Sequence, residues 1–460
     1  MSLMNLLPRL CAPLTAISRG TIASALIAGA ALPLHAAIPI QQWTQPGGAQ
    51  VFLVESPAIA MLDVQIDFDA GSRRDPPAQA GLASVMASML DKGVRAQPGE
   101  SAMDENALSE AWADLGAQFG AGASSDRLGF SLRSLTEPDL LSKAVALAAR
   151  VMAEPAFPDA VWQRERQRLE ASLKESATRP ATLVGRAYAK ALYGSHPYGF
   201  QMTEDTLRRI SVSDMQTLHR SAVVACRARI SMVGAVTRVQ ADRIATQLLA
   251  RLPQQPCASL PPLAVVPEVA PLTQAVEQRI AFDSAQAHVL MGQPGIRRAD
   301  PDYFPLIVGN YILGGGGFVS RLSTEVREKR GLTYGVSSYF SPGLHAGGFT
   351  VSLQTRPDQA RQAVSLVRQV VSDFVTNGPT EAELKAAKDN LIGGFALRLD
   401  SNRKLLDNVV GIAWNGLPLD YLDTWTQRVD SLTVADIKAA FARKLQPERM
   451  VTVVLGDAAP

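Results

Sequence analysis

Arg327 and Tyr334 are the residues of this 460-residue chain whose types and spacing are best suited to chemistry. They lie seven residues apart, on either side of Gly331, where a helix is predicted to end and a strand to begin. An arginine is always charged and a tyrosine offers a hydroxyl donor, so together they can stabilise negative charge that develops on a peptide oxygen. One such donor contributes roughly 100- to 1000-fold in turnover. The alternative is a surface arginine at a helix end and a tyrosine packed at the start of a strand.

A second informative segment is residues 84–88, which read Ser-Val-Met-Ala-Ser. They lie in a frame formed by residues 68–73 and 81–83 on one side and residues 89–93 on the other. This frame resembles the insulinase, pitrilysin and mitochondrial processing peptidase family, in which a strand is followed by a helix that carries a zinc-binding His-x-x-Glu-His motif. The resemblance implies the same strand and helix here, without the motif.

The predicted helix keeps the spacing of a zinc site but not its ligands. Two His at i and i+4 supply two tetrahedral zinc positions, whereas the hydroxyls of Ser84 and Ser88 are poor ligands. Ala87 stands where the resemblance places the general base that activates water. The resemblance also makes Glu165 a relic of the third ligand, although an ion pair with Arg168 one turn away explains it equally simply. We therefore predict no metal site in this chain.

The segment before Arg327 is rich in glycine. It contains Gly315, Gly316, Gly317 and Phe318, but not the Gly-Lys-Ser/Thr that would make it a phosphate loop. It resembles the start of the glycine-rich loop in the non-catalytic subunit of mitochondrial processing peptidase, which implies contact with substrate. A turn that ends a helix is the alternative interpretation.

Composition narrows the class of protein. With 47% hydrophobic and 19% charged residues the chain is globular and long enough for roughly two to three domains. Its formal charge is +2 and it has no basic block, which argues against nucleic acid as a principal partner.

Residues 1–37 are predicted to be a secretory signal. Basic residues precede an apolar run over residues 21–32, and small residues follow at Ala36 and Ala37, where cleavage is expected. Counted through Leu34, the segment is about 14 residues long, which is short for a membrane span that needs roughly 20. We therefore expect export to the periplasm, with no membrane attachment after cleavage.

Two cysteines remain after the signal. Cys226 and Cys257 could pair in an oxidising compartment, but the sequence does not show whether their Cα atoms come within about 7 Å. His196 lies in a Gly-Ser-His-Pro-Tyr-Gly loop that is common in the family, and without a second His nearby in sequence it is predicted to be structural. His219, His288 and His345 show no ligand spacing.

The chain after the signal contains a long internal repeat. One copy begins with strands over residues 51–69 and the other with a strand over residues 281–293, and each reaches a Pro-Asp before a long helix. Each copy also closes with a helix and an apolar strand, for which Ser213 and Thr433 are the predicted N-caps. Such a repeat indicates duplicated domains rather than a solenoid.

A proline-rich stretch separates the copies and is predicted to be extended and semi-rigid. The resemblance implies a mixed α/β (α+β) fold of two homologous domains, each a largely antiparallel sheet backed by helices, that form half of a clamshell chamber. The predicted boundaries are a signal at 1–37, an N-terminal peptidase-like domain at 38–252, a linker at 253–275 and a C-terminal peptidase-like domain at 276–460.

Function follows from how the motifs divide between the two copies. The family contains paired subunits in which one chain brings the zinc motif and its partner brings the arginine and tyrosine. The leading hypothesis is therefore a zinc-free subunit that is inactive alone and binds peptides at the zinc site of a homologous partner, with Arg327 and Tyr334 acting on the oxyanion. One alternative is a binding or scaffold protein that has lost proteolysis. Another is a self-sufficient peptidase with unrecognised ligands.

Overall fold

A computed structural model describes residues 38–456 of the chain. The predicted signal at 1–37 lies outside these residues. Within the described part, no helix combines the length and the apolar character that crossing a membrane requires.

The first half of the chain, residues 38–252, alternates strands and helices. Its strands are β1 (Gln41–Thr44), β2 (Gln50–Glu55), β3 (Met61–Phe68), β4 (Gly93–Val94), β5 (Met103–Asp104), β6 (Gln118–Ala123), β7 (Leu128–Leu135) and β8 (Arg229–Gly234). Its helices are α1 (Leu82–Met89), α2 (Glu105–Asp114), α3 (Pro138–Ala153), α4 (Asp159–Ser176), α5 (Pro180–Tyr193), α6 (Glu204–Arg208), α7 (Val212–Ala222) and α8 (Arg238–Leu249).

The second half, residues 276–456, has the same alternation. Its strands are β9 (Val276–Ile280), β10 (Ala287–Pro294), β11 (Val336–Phe340), β12 (Gly348–Thr355) and β13 (Val451–Leu455). Its α-helices are α9 (Tyr303–Asn310), α10 (Ala360–Asn377), α11 (Glu381–Gly393), α12 (Asn402–Asn415), α13 (Tyr421–Asp430) and α14 (Val434–Lys444). Two π-helical segments, Tyr311–Gly315 and Ser323–Glu328, lie between α9 and β11.

The two halves build their main sheets with one topology. The first sheet has the strand order β1-β2-β8-β3-β7-β6, and the second has the order β11-β12-β10-β13-β9. Reading the second sheet from β9 gives the order of the first sheet from β2. In each sheet a single pair is parallel, β2 with β8 and β9 with β13, and the other pairs are antiparallel. The predicted duplication and the mixed fold of largely antiparallel sheets are thus confirmed.

Two equivalent helices exchange places between the halves. Helix α5 of the first half packs on β10 and β13 of the second sheet, whereas α12 of the second half packs on β3 and β8 of the first. The hydroxyl of Tyr188 in α5 lies 3.0 Å from Oγ1 of Thr350 in the second sheet. Arg229 of β8 donates to the carbonyl of Trp414 in α12 at 3.2 Å. Because each sheet is covered by a helix from the other half, neither half buries its own sheet alone.

The segment between the halves is tied to the first half by a disulfide. Cys226 and Cys257 are bonded, with their Cα atoms 5.6 Å apart, which settles the pairing that the sequence left open. Apart from a short 3-10 turn at Cys257–Ser259, residues 251–275 form no helix or strand. The exact boundaries of the predicted domains and linker stay predictions.

The helices that close the two copies begin with the same capping device. Thr433 caps α14 as predicted, and Asp436 completes the capping box. In the first half the prediction was wrong by two residues, because Ser211 caps α7 and pairs with Asp214. The capping box requires an acceptor three residues after the cap, and Asp214 fulfils this for Ser211, whereas Ser213 lies inside the helix.

Candidate functional site

Helix α1, where the family's metal motif would lie, is built as a buried packing element. Gly81 precedes it with a φ of 105°, a left-handed conformation that favours glycine. The carboxylate of Asp75 accepts hydrogen bonds from the backbone N–H groups of Gly81 at 2.9 Å and Ala83 at 3.0 Å, which caps the start of the helix. Burial raises the pKa of Asp75 to about 6, and these hydrogen bonds offset part of that rise.

The side chains at the motif positions do not fit zinc. Ser84 and Ser88 are exposed one turn apart, and the Ser88 hydroxyl donates to the carbonyl of Val85 at 2.8 Å. Ala87 is only 3% exposed and packs in the hydrophobic core of the first half. Within residues 38–456 no cluster of three His, Cys, Asp or Glu side chains is arranged to hold a metal. The helix therefore offers neither ligands nor a carboxylate that could activate water.

Glu165, which the resemblance predicts to be a relic of the third ligand, is held by arginines. It accepts from Arg168 at 2.8 Å, which is the ion pair expected from the sequence, and from Arg164 at 3.3 Å. Arg164 also pairs with Glu105 at 2.8 Å, and Lys92 lies 3.6 Å from Glu105. The end of α1 and the middle of α4 are thus joined by charged side chains. Although Glu165 is partly buried, the arginine hydrogen bonds and charges outweigh burial and lower its pKa.

The second half presents Arg327 on an irregular helix. Arg327 lies in the π-helical segment Ser323–Glu328, and the chain turns at Gly331, whose φ is 61°. Wider π turns are rare and occur frequently at functional sites. The predicted helix stop at Gly331 is present, and β11 begins at Val336.

Arg327 has no carboxylate partner among the described residues. Its guanidinium instead lies 4.4 Å from the ring centre of Phe318, which is 67% exposed. The neighbouring cations behave differently, because Lys329 and Arg330 both pair with Glu325 at 2.7 Å. Arg327 is therefore oriented by an aromatic ring while its charge is left unneutralised.

Tyr334 is the most exposed aromatic side chain of the described residues, at 89%. Its backbone is nevertheless fixed. The Thr333 hydroxyl donates to the carbonyl of Gln354 at 2.6 Å and accepts from the N–H of Gly335 at 3.1 Å. A rigid loop thus carries a phenol that contributes almost nothing to the core.

Tyr334 stands between two clefts. Together with Arg327 it lines a cleft of about 570 Å³, and on its other side it lines a cleft of about 420 Å³ that extends over the second sheet toward α5. Gln286 and Gln354 border both clefts. The structure therefore brings the predicted pair to one open, continuous surface.

The glycine-rich segment has a structural role. A Cβ on Gly315 would lie 2.8 Å from the Asn310 amide, and one on Gly316 would lie 2.7 Å from the Tyr311 carbonyl. Gly317 has a φ of 65°, which also favours glycine. The turn expected as the alternative is thus present, and it places Phe318 beside Arg327. Contact of these residues with substrate stays a prediction.

The site belongs to a chain whose sequence matches two family descriptions. Residues 50–206 match Insulinase (Peptidase family M16), and residues 209–391 match the Peptidase M16 inactive domain. A solved peptidase M16 inactive domain from Pseudomonas fluorescens is 35% identical, covers 91% of this chain and 98% of its own, and superposes with a TM-score of 0.84. The chain belongs to the peptidase M16 family. The predicted resemblance is confirmed.

Three further proteins resemble this chain at lower sequence identity. An uncharacterized zinc protease of Streptomyces coelicolor is 26% identical over 92% of this chain and 90% of its own length. The non-peptidase homolog YmxG of Helicobacter pylori is 23% identical over 90% and 93%. The periplasmic protease PqqL of Escherichia coli shares the fold, with a TM-score of 0.77 at 18% identity, and the match covers 92% of this chain and 46% of PqqL. An M16 chain whose residues 84–88 lack the His-x-x-Glu-His motif fits a catalytically inactive relative.

Some features of the site were not predicted from the sequence. The π-helical geometry around Arg327 and its stacking on Phe318 depend on packing that no spacing rule reports. The sequence does contain one signal of an irregular helix. Residues 314–317 are all glycine, and such a run strongly disfavours an ordinary α-helix.

Proposed function

We propose that this chain is the zinc-free subunit of a heterodimeric M16 zinc peptidase and supplies Arg327 and Tyr334 to the active site of its partner. The observation that carries this proposal is that the two side chains share one cleft and neither is used by the fold. The nearby Arg330 differs, because its guanidinium pairs with Glu325 at 2.7 Å.

The chemistry of the pair suits amide hydrolysis. When a nucleophile attacks a peptide carbonyl, negative charge develops on its oxygen. A guanidinium without a counter-ion and a phenol on a fixed loop are donors that need little reorganisation to meet that charge. In the family such a pair grips the peptide above the zinc. In this proposal zinc and the water-activating carboxylate belong to a homologous partner that retains the motif, because Ser84, Ala87 and Ser88 cannot supply them.

The proposal includes the setting of the reaction. Two M16 chains would close as the halves of a clamshell around peptides that are small or unfolded enough to enter. Export through residues 1–37 would place this chamber in the periplasm, where the disulfide between Cys226 and Cys257 is compatible with the redox conditions.

A second candidate is a binding or scaffold protein without a part in proteolysis. The complete loss of ligands from α1 favours it, as do the descriptions of an inactive M16 domain and of a non-peptidase homolog among its relatives. In that case Arg327 and Tyr334 would be dispensable for any cleavage.

Reconstitution separates the two candidates. Peptide cleavage and zinc stoichiometry are measured for three samples. These are this chain alone, a zinc-motif homologue alone, and the two chains co-expressed. The shared-site proposal expects cleavage only by the co-expressed chains, one zinc in the partner, and a loss of about 100- to 1000-fold in kcat/KM for Arg327→Ala or Tyr334→Phe. Matched controls are Arg330→Ala, whose side chain is paired, and Tyr339→Phe on β11, and both should retain activity. A complex that forms but is inert, or that tolerates both substitutions at the site, would establish the scaffold.

A further inference from the structure

The two halves are connected by an extended strap, residues 261–269, that the first half holds by its backbone carbonyls. Arg227 donates to the carbonyl of Pro261 at 2.6 Å, and Arg74 donates to that of Ala264 at 2.7 Å. His196 Nε2 lies 3.0 Å from the carbonyl of Pro267. These carbonyls recur every three residues, which is the repeat of a polyproline II helix, so they face one side of the strap.

The strap is also fastened to the second half. The carboxylate of Glu268 accepts from the backbone N–H of Ala346 at 2.8 Å, and its other oxygen lies 3.4 Å from Nδ1 of His345. His345 and His196 face each other with ring centres 5.3 Å apart. His196 is therefore the last attachment of the first half before the strap passes to the second.

The hydrogen bonds of His196 require one protonation state. A carbonyl only accepts, so Nε2 must carry the hydrogen that meets Pro267. Nδ1 accepts from the backbone N–H of Tyr198 at 3.1 Å, so it must be unprotonated. Only the neutral Nε2–H tautomer satisfies both contacts, and a second proton would set an N–H of the ring against the N–H of Tyr198.

The other groups around His196 tie the same region together. Tyr198 donates to Asp126 at 2.6 Å, and Asp126 pairs with Arg73 at 3.2 Å and accepts from the N–H of Leu344 at 3.0 Å. The remaining neighbours with titratable or charged groups are Tyr193, His345, Glu268 and, beyond Glu268, Arg297.

Burial and the His345 ring lower the pKa of His196, whereas the carbonyl of Pro267, Glu268 and Asp126 raise it by less. Because the folded pKa lies below the ordinary value of about 6.5, the stability from a neutral His196 is complete above that value and falls as the pH drops below it.

We propose that His196 is a proton-sensitive clasp that fastens the strap to the first half and opens in mild acid. Guanidinium groups stay charged in proteins, so Arg74 and Arg227 keep hold of Ala264 and Pro261. Opening is therefore confined to the part of the strap around Pro267 and the loop at residues 344–346. The contact between the two halves loosens there while both sheets remain folded. This inference is independent of the proposed function.

Hydrogen exchange of the full chain, followed by mass spectrometry at about pH 7.5 and about pH 5, tests the clasp. Exchange is expressed as protection relative to the unstructured rate at each pH. In the wild type, peptides covering residues 196–200 and 341–347, which contain the amides that donate to His196, Asp126, Tyr198 and Glu268, should lose about tenfold protection in acid, while those covering β13 keep theirs.

Variants identify the residue responsible. A glutamine amide can donate to Pro267 and accept from Tyr198 at both pH values, so His196→Gln should retain protection in acid. His345→Gln removes a neighbour that lowers the pKa of His196, so the folded and open states differ less in proton affinity and the loss of protection in acid should be smaller. His288→Gln, which replaces a partly buried histidine on β10, is the matched control and should behave as the wild type.

Three results would overturn the clasp. One is unchanged protection of residues 196–200 and 341–347 in the wild-type protein. Another is simultaneous loss of protection in these peptides and in β13, which indicates global unfolding. The third is an acid response in His196→Gln equal to that of the wild type. Since the first two are read on the wild type, the test does not depend on the folding of a variant.

Discussion

Helix α1 of the first half and the segment around Arg327 in the second half differ in whether their side chains are committed to the fold or left open to a ligand. On α1 the two ligand positions are exposed serines and the general-base position is a buried alanine, and the rest of the helix is buried core. Around Arg327 the helix is irregular, the cation lacks a counter-ion among the described residues, and Tyr334 lies almost fully in solvent. Helix α1 is thus packed into the core of the first half although serines occupy its ligand positions. In the second half, the candidate site is marked by Arg327 and Tyr334, two polar side chains that the fold leaves exposed to a ligand.

Loss of the disulfide should have the largest effect on stability, because this bond restricts the conformational freedom of the unfolded chain. Replacing Cys226 and Cys257 by serine releases a loop of 31 residues and is expected to lower the free energy of unfolding by about 3–4 kcal/mol. Denaturant titration of the oxidised wild type and the double variant measures this. Reduced wild type should match the double variant, and a large difference between them would mean that the serines themselves disturb the structure.

Placing motif residues back on α1, separately at the buried and at the exposed positions, tests whether this helix serves packing alone. Ala87→Glu places a carboxylate in the core and should cost about 2–3 kcal/mol. The double change Ser84→His and Ser88→His affects exposed positions and should stay within about 0.5 kcal/mol. Thermal unfolding compares them, and equal losses would contradict the burial pattern on which the comparison rests.

The charge on Asp75 gives α1 a pH dependence of its own. Its pKa is about 6 in the folded chain, above the ordinary value of 3.8, so the folded state binds the proton more tightly. The contribution of Asp75 to stability therefore rises as the pH falls from about 6 toward 3.8. Asp75→Asn should remove this contribution, so the variant should lose more stability than the wild type over that window. Parallel unfolding curves of the two proteins would disprove the shift.

Two tyrosines provide the smallest expected difference. Tyr334→Phe removes an exposed hydroxyl and should change stability by less than about 0.5 kcal/mol. Tyr188→Phe leaves buried hydrogen-bonding groups of the second sheet without their partner and should cost about 1 kcal/mol or more. Chemical denaturation measures the free energy of unfolding of both variants and of the wild type. A destabilised Tyr334 variant would show that this residue serves the fold and would weaken its assignment to a shared site.

Local patterns predicted the parts of this protein that depend on local rules. The alternation of strands and helices, the helix stop at Gly331 and the cap at Thr433 follow from backbone conformation and nearby hydrogen bonds. The misplaced cap at Ser213 is an error of two residues within the correct helix start. By contrast, the contact between His196 and His345 joins residues distant in the chain, and each histidine showed no ligand spacing on its own.

The sequence by itself determined the family, the duplicated sheets and the loss of zinc ligands, because these depend on which residue types occur and at what spacing. Tertiary structure alone decided the exchange of α5 and α12, the pairing of Cys226 with Cys257 and the setting of His196. It also decided that Arg327 and Tyr334 open onto one cleft. These are contacts between distant segments, and they form only when the burial of both sheets brings the two halves together. The spacing of residues along the chain does not report which distant segments come into contact.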